Sequence, residues 1–91
     1  MALTTNQSDF ENFDVFQNND NKVLVIQNPI LLPIETVQIF DIVGKLILEA
    51  NNLDSKLEQT FSTASFSDGI YIVRIKTTEK KIFRKKVLVK N

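Results

Sequence analysis

The residues that could carry covalent or acid–base chemistry in this chain are serines and carboxylates. Ser55, Ser62, Ser65 and Ser67 are candidate nucleophiles, but a serine hydroxyl needs an adjacent base, and the sequence contains no His. Neither a Gly-x-Ser-x-Gly elbow nor a Ser-x-x-Lys arrangement is present. Glu35, Asp41, Glu49, Glu58 and Asp68 could work as a pair only if folding brought two of them together. Their spread along the chain reads instead as solvated strand faces and turn formers. There is no Cys, which removes thiolate nucleophiles, disulfides and cysteine metal sites together. The commonest general base and transition-metal ligand is missing with His. Gly44 and Gly69 have neither the spacing nor the following helix of a phosphate loop. Asn18-Asn19-Asp20-Asn21 carries one acid where a calcium loop needs several at alternating positions and a distal Glu, so it reads as a turn. The expectation is a protein that is not an enzyme and takes no metal or cofactor.

Charge offers a different kind of chemistry. The formal net charge is zero over 91 residues, yet the two signs are separated. Asp9, Glu11, Asp14 and Asp20 precede the first cation, Lys22. From Arg74 onward there are eight cations (Arg74, Lys76, Lys80, Lys81, Arg84, Lys85, Lys86, Lys90) against Glu79 alone. The two ends can therefore attract each other or present opposite patches. Lysines on a last strand also discourage edge-to-edge pairing, a general role that stands beside recognition of an anionic surface or partner. Nucleic acid fits less well, because the basic strand lacks an exposed aromatic platform for stacking bases.

The elements that would position these groups read as strands. Phe66-Ser67-Asp68-Gly69 is a turn signal, and Ile70-Tyr71-Ile72-Val73-Arg74-Ile75 is a β-branched and aromatic run of strand length. Thr78-Glu79-Lys80 then connects it to Lys81–Lys90, which predicts a closing β-hairpin. Within the first run Tyr71, Val73 and Ile75 share the purer apolar face and should point inward. Lys85 falls on the face of Phe83, Val87 and Val89, so a bulge near Arg84-Lys85-Lys86 is expected. Earlier, residues 13–17 predict a short first strand, and Lys22–Gln27 a strand apolar on both faces. Asn28-Pro29 to Leu32-Pro33 reads as an edge or crossover whose Ile30, Leu31 and Leu32 plug one end of the core. Glu35–Asp41 and Leu46–Glu49 form a hairpin around Gly44, placed there for its backbone freedom. After an Asn51–Ser55 loop, Leu57–Phe61 alternates with Leu57 and Phe61 inward, and 62–67 has room for one 3₁₀ turn at most. No segment keeps a helical period. No apolar run approaches the ~20 residues that span a bilayer.

About seven strands with turn signals every 8–12 residues predict an all-β fold, an Ig-like antiparallel β-sandwich. Residues 1–9 read as a linker or expression remnant, without the charged and apolar regions of a signal peptide. Residues 10–91 form the domain. Its expected core is Val23, Val25, Val37, Ile39, Leu46, Leu48, Leu57, Phe61, Phe66, Tyr71, Val73, Ile75, Phe83, Val87 and Val89.

Three blocks together resemble a known family. Val37-Gln38-Ile39-Phe40-Asp41-Ile42-Val43-Gly44-Lys45-Leu46 is similar to the "V-x-hydrophobic-aromatic-D-x-x-G-K-hydrophobic" hairpin of type IX secretion C-terminal sorting domains, type A-like. Phe66-Ser67-Asp68-Gly69-Ile70-Tyr71-Ile72-Val73-Arg74-Ile75 resembles their "L-x-x-G-[IV]-Y-hydrophobic-V-basic-hydrophobic" block, with Phe66 in place of Leu. Lys85-Lys86-Val87-Leu88-Val89-Lys90 looks like their closing basic strand. The "Y-P-N-P" stretch of many members is replaced here by Val15-Phe16-Gln17-Asn18-Asn19. The resemblance implies a sorting signal at the C-terminus of a larger cargo protein. Such a domain is recognised in the periplasm by type IX translocon components, crosses the outer membrane, and is removed by a sortase-like surface protease. The cargo is then released or held at the cell surface, and a signal peptide would lie at the parent's far N-terminus. Partners would thus be the translocon, the protease and an N-terminally fused cargo domain, with no nucleic acid and no membrane insertion. Carried onto this chain, Asp41, Gly44, Lys45, Asp68, Gly69, Tyr71 and Val73 would mainly build the fold. Lys85, Lys86, Val87, Leu88, Val89 and Lys90 would carry recognition, by an exposed strand edge and basic side chains. The alternative is a passive Ig-like binding or adhesion module contacting carbohydrate or a matrix protein, which predicts an exposed aromatic platform of Phe40 and Tyr71.

Overall fold

The computed structural model describes residues 13–51, 53 and 56–91; the expected 1–9 linker, Ser55 and part of the Asn51–Ser55 loop lie outside them. Seven strands follow in order: β1 (Asp14–Asn18), β2 (Val23–Gln27), β3 (Ile34–Asp41), β4 (Leu46–Asn51), β5 (Glu58–Ser62), β6 (Gly69–Thr77) and β7 (Ile82–Val89). They form two antiparallel sheets, β1-β2-β5 and β4-β3-β6-β7. This is an Ig-like sandwich, with the fourth strand paired to the third rather than to the fifth. Residues 62–67 hold a turn, Phe66 N–H donating to the Thr63 carbonyl at 3.0 Å.

The core lies where the inner faces of the two sheets meet. Phe13, Val15, Leu24 and Ile26 pack against Ile34, Val37, Ile39, Tyr71, Val73, Ile75, Phe83, Val87 and Val89. Leu32, Leu48, Leu53, Phe61 and Phe66 close its margins. The rings of Phe13 and Phe83 pack at a 4.8 Å centroid distance, tilted by 57°, in the seam between β1 and β7. Alternation on β6 thus places Tyr71, Val73 and Ile75 inward, as their spacing requires.

Several core expectations are corrected. Leu46 and Leu57 are exposed. A register shift between Ile39 and Phe40 lets β4 slip, which turns Leu46 to the outer face. Leu57 stands just before β5 begins, and there it is Gln59 and Phe61 that face inward. On β2 the inward pair is Leu24 and Ile26; Val25 is buried on the outer face between its register partners Phe16 and Thr60, and Val23 is half-buried. Ile30 and Leu31 are exposed, so only Leu32 of that segment plugs the core. The turn there is tied by Asn28, which is 0% exposed. Its Nδ2 donates to the Leu32 carbonyl at 2.8 Å and its Oδ1 accepts the Leu32 N–H at 3.0 Å.

The expected bulge in β7 is absent: the β6–β7 ladder runs in one register from Gly69↔Val89 to Lys76↔Ile82, through Val73↔Lys85. Lys85 therefore lies on the core-facing side and is still exposed. Its position explains this. β7 is an edge strand, so a long stem can lie along the seam lined by Phe13, Val15 and Phe83 while the ammonium reaches water.

Two hairpins share one loop design. In Asp41–Lys45 the first N–H donates to the fifth carbonyl at 2.9 Å, and the fourth N–H to the first carbonyl at 3.0 Å. The Asp41 carboxylate accepts the Lys45 N–H at 2.8 Å and the Val43 N–H at 3.1 Å. Thr77–Lys81 repeats the pattern, both backbone bonds at 2.9 Å, with the Thr77 hydroxyl accepting the Lys81 N–H at 3.2 Å. The fourth position is left-handed in both, φ 93° at Gly44 and φ 72° at Lys80, so Gly44 answers a backbone need.

Candidate docking surface on the four-stranded sheet

Of the residues with potential for covalent chemistry, Asp41, Ser62 and Asp68 accept backbone N–H groups. Asp41, Lys45, Ser62, Ser65, Ser67 and Asp68 line an open groove of about 560 Å³ between the β3–β4 hairpin and the β5–β6 loop. It brings two carboxylates to one cleft, but each already holds backbone: Asp41 closes its hairpin, and Asp68 accepts the Asn91 N–H at 2.7 Å. Tyr71 is 6% exposed, and its hydroxyl donates to the Ser67 carbonyl at 2.7 Å. That bond fixes the corner where the chain enters β6, and the ring packs 5.1 Å from that of Phe66. Gly69, at φ 151°, opens the same strand. Val73 is fully buried. Glu49 and Glu35 sit at the surface with polar partners: Gln38 Nε2 donates to Glu49 at 3.2 Å, and Lys80 lies 3.3 Å from Glu35. Among the described residues no group of three or more His, Cys, Asp or Glu could hold a metal ion.

The outer face of the four-stranded sheet is the chemically unusual surface. Its register sets side chains in rows across the strands. One row reads Glu49, Gln38, Arg74, Arg84, and is linked by Arg74 Nη1 donating to Gln38 Oε1 at 2.7 Å. Arg74 and Arg84 are direct cross-strand partners, a like-charge pairing that disfavours the sheet. The next row reads Leu46, Phe40, Ile72, Lys86, and beyond it Ile70 pairs with Leu88. Leu46, Ile70 and Leu88 are exposed, as are Ile42 and Val43 at the hairpin tip. This face is thus cationic toward one end and aliphatic toward the other.

The edge of β7 carries further constraints. Thr77 and Lys81 face each other through backbone, and antiparallel ladders alternate. The backbone groups of Ile82, Arg84, Lys86 and Leu88 therefore aim away from β6. At one end this edge is capped by a side chain. Asn19 Nδ2 donates to the Leu88 carbonyl at 3.4 Å, and Asn19 Oδ1 accepts the Lys90 N–H at 2.9 Å. Asn91 is tied down beside it, its Nδ2 donating to the carbonyls of Thr63 at 2.8 Å and Phe66 at 2.6 Å.

The six residues expected to carry recognition are thereby divided. Lys86 and Leu88 lie on the outer face, Lys85 on the seam and Lys90 at the clamped end, all exposed. Val87 and Val89 are core residues and cannot meet a partner in the folded domain. Sequence reasoning did not pick out Ile42, Val43, Ile70, Arg84 or the clamps made by Asn19 and Asn91. The signal available for them was the apolar pair at turn positions and the shared parity of Ile70, Ile72 and Arg74.

Among solved structures, the chain is similar to CopC from Methylosinus trichosporium OB3b, with 21% sequence identity and a TM-score of 0.48 over 85% of this chain and 83% of that one. No curated protein matches it. A family described as a domain of unknown function, DUF8694, matches residues 3–89, and the chain belongs to that family.

Proposed function

We propose that this domain is a sorting module, recognised by protein–protein contact and directing an N-terminally fused cargo across the outer membrane through a type IX translocon. One observation carries the reading. The three blocks that resemble sorting domains are far apart in sequence, yet they occupy the four adjacent strands of one sheet. Block 37–46 is the β3–β4 hairpin, 66–75 leads into and forms most of β6, and 85–90 is β7 with its clamped end. The outward-facing positions of their strands share one face of that sheet, with Lys85 left on the seam. A periplasmic passage, removal by a sortase-like surface protease and a cell-surface or extracellular end-point belong to the same proposal.

The test is to fuse residues 1–91 behind a signal peptide and a reporter in a host with the type IX apparatus. Surface delivery is the expected result, and periplasmic retention of a correctly folded fusion would contradict it. Removing Val87–Asn91 is not a clean control, because Val87 and Val89 are core and Asn91 holds the β5–β6 loop. Lys86→Glu is the better variant, since it reverses an exposed charge without touching the core. The adhesion reading lacks its aromatic platform: Phe40 is half-buried on the outer face and Tyr71 is in the core, on the opposite side of the sheet.

A further inference from the structure

The two matching hairpin loops differ in the residues at their turn positions. The β6–β7 loop places Thr78 and Glu79 there, and the β3–β4 loop places Ile42 and Val43. The same hydrogen bonds close both, so closure does not ask for aliphatic side chains. Turn positions favour polar residues that bond their own backbone, and β-branched residues are stiff outside strands. Ile42 is nonetheless 63% exposed and Val43 84% exposed. The fold gains little from either.

Their surroundings say what they suit. Ile42, Ile47 and Ile70 line one open groove, and Leu88 is the cross-strand neighbour of Ile70. Arg74, Lys76, Arg84 and Lys86 share this face of the sheet, with Glu49 in the row of Arg74 and Arg84. We propose that the Ile42–Val43 tip is the apolar anchor of the docking surface, seating in an apolar pocket of a protein partner whose rim carries carboxylates. Arg84 and Lys86 steer that rim into place, and the aliphatic tip holds it. A lipid surface fits less well, because two aliphatic side chains at one turn bury little apolar area, and interfacial binding strength scales with that area. This proposal rests on the reading of the sheet as a docking face for a secretion partner.

The test copies the sister loop: Ile42→Thr with Val43→Glu, made in the full 91-residue chain and in the reporter fusion. The melting temperature should stay within about 3 °C of wild type, as for ordinary surface changes, since Asp41 and Gly44 still close the loop, while surface delivery falls at least about tenfold. Delivery of the double variant at the wild-type level overturns the anchor alone. Failure of the wild-type fusion overturns the sorting reading and the anchor with it. Vesicles containing phosphatidylglycerol and sedimentation equilibrium complete the test. The expected result is a monomer that does not bind vesicles. Vesicle binding, or a dimer, that the double substitution abolishes would assign the tip to lipid or to a second copy and overturn the protein partner.

Discussion

Asn28→Ala tests the account of how the β2–β3 crossover is held. The side chain is wholly buried and makes two bonds to one residue, 2.8 Å to the Leu32 carbonyl and 3.0 Å from its N–H. Each such bond contributes about 1 kcal/mol net, and a partner left without water costs a further 1–3 kcal/mol or so. Leu32 is half-buried, so water should satisfy part of what is lost, and about 3 kcal/mol is the expected total. A domain of this size has roughly 5–14 kcal/mol to lose, and each kcal/mol moves Tm by about 4–8 °C. Calorimetry should therefore show a fall of more than about 10 °C. A change within ~0.5 kcal/mol, the range of neutral surface substitutions, would refute the reasoning.

Asn28→Asp adds a sign. The introduced carboxylate still accepts the Leu32 N–H but faces the Leu32 carbonyl without a proton to donate. Burial and that carbonyl push the introduced carboxyl above the ordinary range, so the folded state keeps its proton to higher pH than the unfolded state does. Stability relative to wild type is then greatest in acid. It falls as pH rises through the ordinary carboxyl range toward the folded value. A Tm gap that widens on acidification would contradict the buried geometry.

Other substitutions probe single contacts. Tyr71→Phe keeps the ring beside Phe66 and removes the bond to Ser67, so chemical denaturation should show a loss of about 1 kcal/mol. Lys85→Leu puts an apolar side chain on the core-facing side of β7 along the Phe13–Phe83 seam. Stability should hold or rise by about 1 kcal/mol, and a marked loss would show that Lys85 is not on the inner side. Gly44→Ala meets no atom within 4 Å, so its cost, about 1 kcal/mol, is purely conformational.

The residues show why some of this was legible from sequence and some was not. Tyr71, Val73 and Ile75 share the face of their strand that carries no charge, while Arg74 and Lys76 mark the other, so period 2 assigned their direction. Asn18–Asn21 announces a turn, and Asn18 Oδ1 accepts the N–H groups of Asp20 and Asn21 at 3.1 Å. Gly44 was readable because a backbone requirement limits the residue type. Val23-Leu24-Val25-Ile26 could not be resolved, since a strand apolar on both faces gives no parity. Lys85 was misread because an inward position need not be apolar: on an edge strand a lysine stem can lie inward while its ammonium reaches water. Leu46 was misread because the shift at Ile39/Phe40 has no local signature. The proposed docking face needed the register: Arg74 and Arg84, or Ile70 and Leu88, become neighbours only once β6 and β7 pair.

The proposed contact with a secretion partner is made by the outer face of the four-stranded sheet and its hairpin tip. Site-specific photo-cross-linking in a type IX host tests it most directly, with the photoreactive group placed in turn at Val43, at Leu88, and at Thr60 on the opposite sheet. All three positions are exposed. The account predicts envelope-protein adducts from Val43 and Leu88 and none from Thr60. Adducts from Thr60 with none from the other two would contradict it.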